Sequence, residues 1–199
     1  MTTATRKKQI TPADILPPAE YAKRRAAIRA EIVRKKKNRR LEVGPFATFY
    51  FECFETMLQQ VQEMLHIEKG GEAQIADELS AYNPLIPQGN ELIATVMFEI
   101  DDPVRRGRAL ARLGGVEDTM FIKLGEEKVK GVAEQDQDRT NAEGKASSVQ
   151  FVHFPFTREQ IAKFKSPGQT IIIGLEHENY AHMAVMSDAM RTELAGDFD

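Results

Sequence analysis

Cysteine is almost missing from this chain, Cys53 being the only one in 199 residues. One thiol excludes an intrachain disulfide, a thiolate zinc finger and a self-contained cysteine-ligated iron-sulfur cluster. There is no run of about 18 or more apolar residues to span a bilayer. The opening residues are polar and basic with no apolar signal region, so the expected location is the cytoplasm and no membrane partner is expected. Common catalytic signatures are absent as well. The sequence has no Gly-rich P-loop, no GxGxxG after a strand, no GxSxG and no His-Glu-x-x-His, and nothing marks a serine or Cys53 as a nucleophile. Nothing in it requires an enzyme.

What is present is a globular composition, 42% hydrophobic and 29% charged, with a strong asymmetry of charge. The formal net charge of -3 divides into +10 over residues 1–40 and -13 over the remainder, a basic arm on an acidic body. Residues 1–11 lack apolar periodicity and are expected to be poorly ordered. Pro17-Pro18 then starts a helix expected over Ala19 to Arg40, with a thin apolar seam of Tyr21, Ile28 and Ile32. Its cations Arg34, Lys35, Lys36, Lys37, Arg39 and Arg40 form a candidate contact surface for a protein partner or for phosphates.

A second helix is expected from Phe46 to Lys69, because Phe46, Tyr50, Phe54, Met57, Leu58, Val61, Met64 and Leu65 recur at intervals of three and four. Cys53 falls between apolar positions of that helix and reads as a small buried thiol. Glu63 and His66 have the Glu-x-x-His spacing of di-iron bundles, but no other histidine has a glutamate three residues before it. The pair therefore reads as a solvated or interface helical pair. A short helix, Ala73 to Tyr82, ends at the rigid Asn83-Pro84-Leu85-Ile86-Pro87 corner.

Beyond that corner the pattern turns to strands, at Glu91–Ile100, Thr119–Leu124, Lys128–Ala133, Val149–Phe156, Thr170–Leu175 and Ala181–Met186. Short helices are expected at Val104–Leu113 and at Thr157–Lys165, the latter capped by Thr157. Glu134 to Ser148 is almost wholly polar, a long loop or hairpin tip. Residues after Ser187 are expected to form a last short helix or to fray. The expected class is α+β, with N-terminal helices, then a mostly antiparallel sheet with two short helices. A soft division falls at Pro87, giving a helical region 1–87 and a sheet region 88–199.

The run from Gly44-Pro45-Phe46 through Gln62-Glu63-Met64-Leu65 to AYNPLIP (residues 81–87), with the ending GLEHENYAHM (residues 174–183), resembles an uncharacterised family of bacterial proteins carrying only a domain-of-unknown-function label. Members of that family are often encoded beside rubrerythrin-like di-iron proteins and iron-sulfur oxidoreductases. The resemblance implies an iron or peroxide-handling context and carries over no catalytic residue.

Three functional readings follow, in order. The first is an accessory protein that binds a partner, a rubrerythrin-like or iron-sulfur protein being the class the resemblance implies. The second is a metal-dependent enzyme: His153, His177 and His182, with Glu176, supply imidazole and carboxylate ligands suited to iron, zinc or manganese if the last two strands pair about residues 177–180. The third is nucleic-acid binding through Arg34 to Arg40. A homodimer, through the thin-seamed helix and the amphipathic one after it, is a further expectation.

Overall fold

The structure is a computed structural model, and it describes residues 6–134 and 139–199. The described residues form six α-helices and two antiparallel sheets, so the α+β class holds, with helices interspersed among the strands rather than gathered at the N-terminus. In chain order the elements are α1 (Pro18–Lys36), β1 (Arg40–Val43), β2 (Ala47–Phe51), α2 (Phe54–Glu68), α3 (Glu72–Tyr82), β3 (Glu91–Phe98), α4 (Pro103–Leu110) and β4 (Met120–Leu124). There follow β5 (Glu127–Lys130), β6 (Val132–Ala133), β7 (Val149–Pro155), α5 (Arg158–Lys165), β8 (Ile171–His177), β9 (Tyr180–Val185) and α6 (Asp188–Ala195).

The larger correction to the expected elements is at residues 46–53. The aromatic run is not the first two turns of a helix but the strand β2, followed by two linking residues, and Cys53 is the N-cap of α2 rather than an interior helical position. The alternation explains the strand: Phe49 and Phe51 point into the core while Thr48 and Tyr50 face the other way, and only a period of two separates those side chains cleanly. Burial pushes the Cys53 thiol up, in keeping with a small buried thiol. Further corrections are smaller. Residues 37–43 turn into β1 instead of prolonging α1. Ile10 is buried and bonded to Asn83, so residues 6–11 are held in place, while residues 1–5 lie outside the described set.

One sheet runs β1-β2-β3-β7-β6 and the other β5-β4-β8-β9, every pairing antiparallel. The first sheet takes β1 and β2 from before Pro87 and β3, β7 and β6 from after it, so the division at residue 87 runs through a hydrogen-bonded sheet. The expected strand Lys128–Ala133 is shared between the two sheets, bending at Gly131. A Cβ there would lie 2.6 Å from Val152 and 3.0 Å from the Met120 carbonyl, so the close crossing needs glycine.

The sheets face each other over one core. Phe49, Phe51, Leu92, Val96, Val152 and Phe154 come from one sheet, and Met120, Ile122, Leu124, Ile171, Ile173 and Leu175 from the other. Each such buried side chain contributes roughly 1.5–3 kcal/mol. The capped helix α5 and α6 add Phe164, Met190 and Leu194 to this core, where Phe156, Phe164 and Phe198 meet edge to face. On the outer face of the five-stranded sheet, Ile93 and Phe151 pack under Met57 and Val61 of α2 and Leu85 and Ile86 of the proline corner. α1 lies outermost, against α2.

Two polar clasps bind these layers. The Tyr180 hydroxyl accepts the amides of Phe46 and Ala47, each at 2.9 Å, and donates to the Val43 carbonyl at 2.8 Å, fixing the β1–β2 turn to the opposite sheet. Arg39, 1% exposed, donates Nε to the Phe51 carbonyl at 2.9 Å and Nη2 to the Glu52 carbonyl at 2.8 Å. Its other donors reach Glu193 at 3.1 Å and Asp197.

Candidate partner-binding surface

The cationic run expected to form one surface is divided by the fold. Arg39 is the interior clasp just described, and so is no contact residue for a partner. Lys35 bridges Glu55 at 3.0 Å and Glu193 at 3.7 Å, and Arg40 bridges Glu42 at 2.6 Å while lying over the Tyr50 ring. Arg34 and Lys37 are exposed and make no ion pair with any described residue, and Lys36 is half-buried.

The geometry of α1 follows from its composition. Tyr21 and Ile32 are its only buried residues, with Arg25, Ile28, Lys35 and Lys36 beside them, a stripe too narrow to bury more than one side of the helix. That side is held by Glu63 of α2, which accepts Arg25 Nε at 2.9 Å, Arg25 Nη2 at 2.7 Å and the Tyr21 hydroxyl at 2.6 Å. The Arg25 fork keeps the Glu63 carboxyl down at about 2. Glu63 is therefore an interface residue between helices, and His66 lies edge-on to the Tyr21 ring at 5.8 Å. On the opposite side of α1, Lys23, Ala27, Ala30, Arg34 and Lys37 follow one another at helical intervals of three and four, with Val33 alongside at 70% exposure. Neither Lys23, Arg34 nor Lys37 has an ion-pair partner among the described residues.

At the N-terminal end of α1 the chain leaves an apolar groove of about 670 Å³. Ile15, Leu16 and Pro18 form one wall, Leu65 and His66 of α2 another, and Ile75 of α3 the third. This groove is not legible in the sequence, because residues 12–18 carry no periodicity that would reveal their docking on α2. They dock through Gln62, whose Oε1 accepts the Leu16 amide at 2.8 Å.

The C-terminal histidines do not come together. β8 and β9 do pair about the turn, His177 opposite Tyr180, as expected. His177, however, has both ring nitrogens engaged: Nε2 donates to the Gly114 carbonyl at 3.1 Å, and Nδ1 accepts the Asn179 amide at 3.2 Å. No lone pair is left for a metal. His182 is exposed and packs its ring on Tyr180 at 4.6 Å. Glu176 points to the opposite face from His177, as neighbours in a strand must, and pairs with Lys128 at 2.6 Å. His153 lies in the other sheet, with Nδ1 3.0 Å from Glu91 and Nε2 3.7 Å from Glu134. Those two carboxylates, Glu134 foremost, push its pKa up to about 9, so both nitrogens carry protons at neutral pH. Among the described residues no group of three or more His, Cys, Asp and Glu side chains is arranged to hold a metal ion. No helix among them is long and apolar enough to cross a membrane.

Fold and surface together define an α+β protein built on two facing antiparallel sheets, with a helical layer that presents a basic face and an apolar groove. The chain belongs to the DUF3501 family of proteins of unknown function, which matches residues 9–198. It is similar to a crystal structure of a novel protein of unknown function from Burkholderia pseudomallei, at 36% identity and a TM-score of 0.89, over 96% of this chain and all of that one. No curated protein matches it.

Proposed function

We propose that this protein is a cytoplasmic accessory factor that works by holding a partner protein, and that the partner presents an acidic surface to the outer side of α1. The observation that carries the reading is the stripe of Lys23, Arg34 and Lys37, three cations without an internal counter-charge on a helix that is otherwise bound down by ion pairs. Oriented charges of this kind steer encounter and fix register more than they add affinity. A 19-residue helix is about 28 Å long, and a face about 10 Å wide offers roughly 300 Å². A stable complex takes about 800 Å² from each partner, so α1 alone supports a transient complex. The partner class proposed is a rubrerythrin-like or iron-sulfur protein, and its support is the resemblance carried by AYNPLIP and GLEHENYAHM.

The test is retention of a purified acidic rubrerythrin-like protein from the same cell on immobilised wild-type protein, and on a Lys23→Glu, Arg34→Glu, Lys37→Glu variant of unchanged circular dichroism. Retention by the wild type that weakens with salt and vanishes in the variant is expected. Equal retention by both proteins, or none by either at low salt, overturns the proposal. A dimer mass in light scattering that reverts to monomer in the variant also overturns it, by giving the face to a second copy of the chain.

A further inference from the structure

Between the outer face of the five-stranded sheet and α2 lies a second, smaller cavity of about 200 Å³, separate from the Lys23, Arg34 and Lys37 stripe of α1 and from the apolar groove. Its floor is Glu52, 5% exposed, which follows β2 directly. One carboxylate oxygen accepts the Thr95 hydroxyl at 2.7 Å and the other the Thr56 hydroxyl at 2.6 Å. No cation of the described residues makes an ion pair with that carboxylate, the nearby Arg39 reaching only the Glu52 backbone carbonyl. A buried carboxylate is ordinarily paired with a cation, because desolvation of a lone charge is costly, and two hydroxyl donors leave lone pairs of each oxygen unused. Lys36 of α1 lines the same cavity and also makes no ion pair with a described residue. The remaining walls include the rings of Tyr50, Tyr82 and Phe151 and the thioethers of Met57 and Met97. Aromatic faces favour a cation, and methionine adapts its shape to a small occupant.

We propose that this cavity is a binding site for a small zwitterion of amino-acid size, its ammonium group seated on Glu52 and its acid group towards Lys36. The volume sets the size: 200 Å³ is the room of roughly six or seven waters, below the range of drug-sized ligands. The two charges of opposite sign lining one cavity set the class. A plain amine would satisfy Glu52 and leave Lys36 without a partner, and a plain acid would do the reverse.

The experiment uses the full chain labelled with ¹³C at the methionine methyls, with the Met57 and Met97 signals assigned by substituting each with leucine. Glycine, β-alanine and 4-aminobutyrate are the zwitterionic probes, with n-propylammonium and butyrate as the single-charge controls. At least one zwitterion is expected to move both methyl signals in a saturable way, and to bind at least about tenfold more tightly than either control. Glu52→Gln keeps the size of the side chain and an acceptor for Thr95, and is expected to weaken that zwitterion at least about tenfold. Lys36→Met is expected to abolish the preference for it over n-propylammonium while leaving the fold intact. The proposal is overturned if none of the zwitterions moves Met57 and Met97, if Glu52→Gln binds as the wild type does, or if n-propylammonium binds as tightly as the zwitterions. Should Glu52→Gln fail to fold, the Lys36→Met comparison decides alone, and an undiminished preference for the zwitterion in that variant overturns the proposal.

Discussion

Raising the pH should loosen the fold through His153, and the size of the effect follows from its surroundings. The imidazole is held between Glu134 and Glu91, which lift its pKa from 6.5 to about 9. A group whose pKa is higher folded than unfolded adds stability that is fully present below the unfolded value, and loses it as pH rises through the folded one. The window is therefore about pH 6.5 to 9, and across it the folded state binds one proton that the unfolded state does not. At about 1.36 kcal/mol per unit the full shift corresponds to about 3 kcal/mol, and solvent screening of a side chain 24% exposed lowers the expectation to about 1–2 kcal/mol. Cys53 and Tyr21 are both pushed up by burial, and what they add to the pH dependence is common to the wild type and a His153 variant, so the difference between the two isolates His153. The assay is urea unfolding followed by circular dichroism at both ends of the window, for the wild type and for His153→Gln, which keeps a donor for Glu91 and cannot titrate. The wild type should lose about 1–2 kcal/mol more than the variant between the two conditions. Equal losses would refute the argument, and so would a larger loss in the variant.

The two clasps give further predictions by the same assay. Arg39→Met leaves Asp197 buried without its main counter-charge and the Phe51 and Glu52 carbonyls without their donor, and should cost about 3–5 kcal/mol; a loss below about 1 kcal/mol would show that the clasp is passive. Tyr180→Phe removes one acceptor and one donor at a single point, stranding two amides and a carbonyl, and should cost about 2–3 kcal/mol. An unchanged urea midpoint there would mean that water replaces the hydroxyl.

Much of this fold could be read in the sequence where local chemistry decides it. Thr157 caps α5 through Gln160, the Asn-Pro corner ends α3, and Gly125 makes the tight turn between β4 and β5, all as their neighbours dictate. The misreading of residues 46–53 has an equally local cause. Phe46, Tyr50 and Phe54 fit a helical interval of four, while Phe49 and Phe51 fit a strand interval of two, and only the pairing of β2 with β3 decides between them. The sites were less legible because their partners are remote. Arg39 looks like one cation in a run until Asp197 meets it, 158 residues away, and His177 is used up by a carbonyl 63 residues before it. Glu52 gave no sign of its cavity, since Thr95 reaches it from another strand.

The meeting of Arg39 with Asp197 also bears on how the molecule is made. Arg6 reaches Asp197 and Lys8 reaches Asp199, contacts spanning 191 residues, and Phe198 closes the aromatic cluster of the core. A ribosome delivers the first of these partners long before the second. Until residues 197–199 emerge, the Arg39 guanidinium lacks Asp197 and the core lacks its closing ring, so the growing chain is still an incomplete sandwich. Contacts of such range are formed slowly, which makes the arrival of residues 197–199, rather than the first helix, the step that commits this protein to its fold.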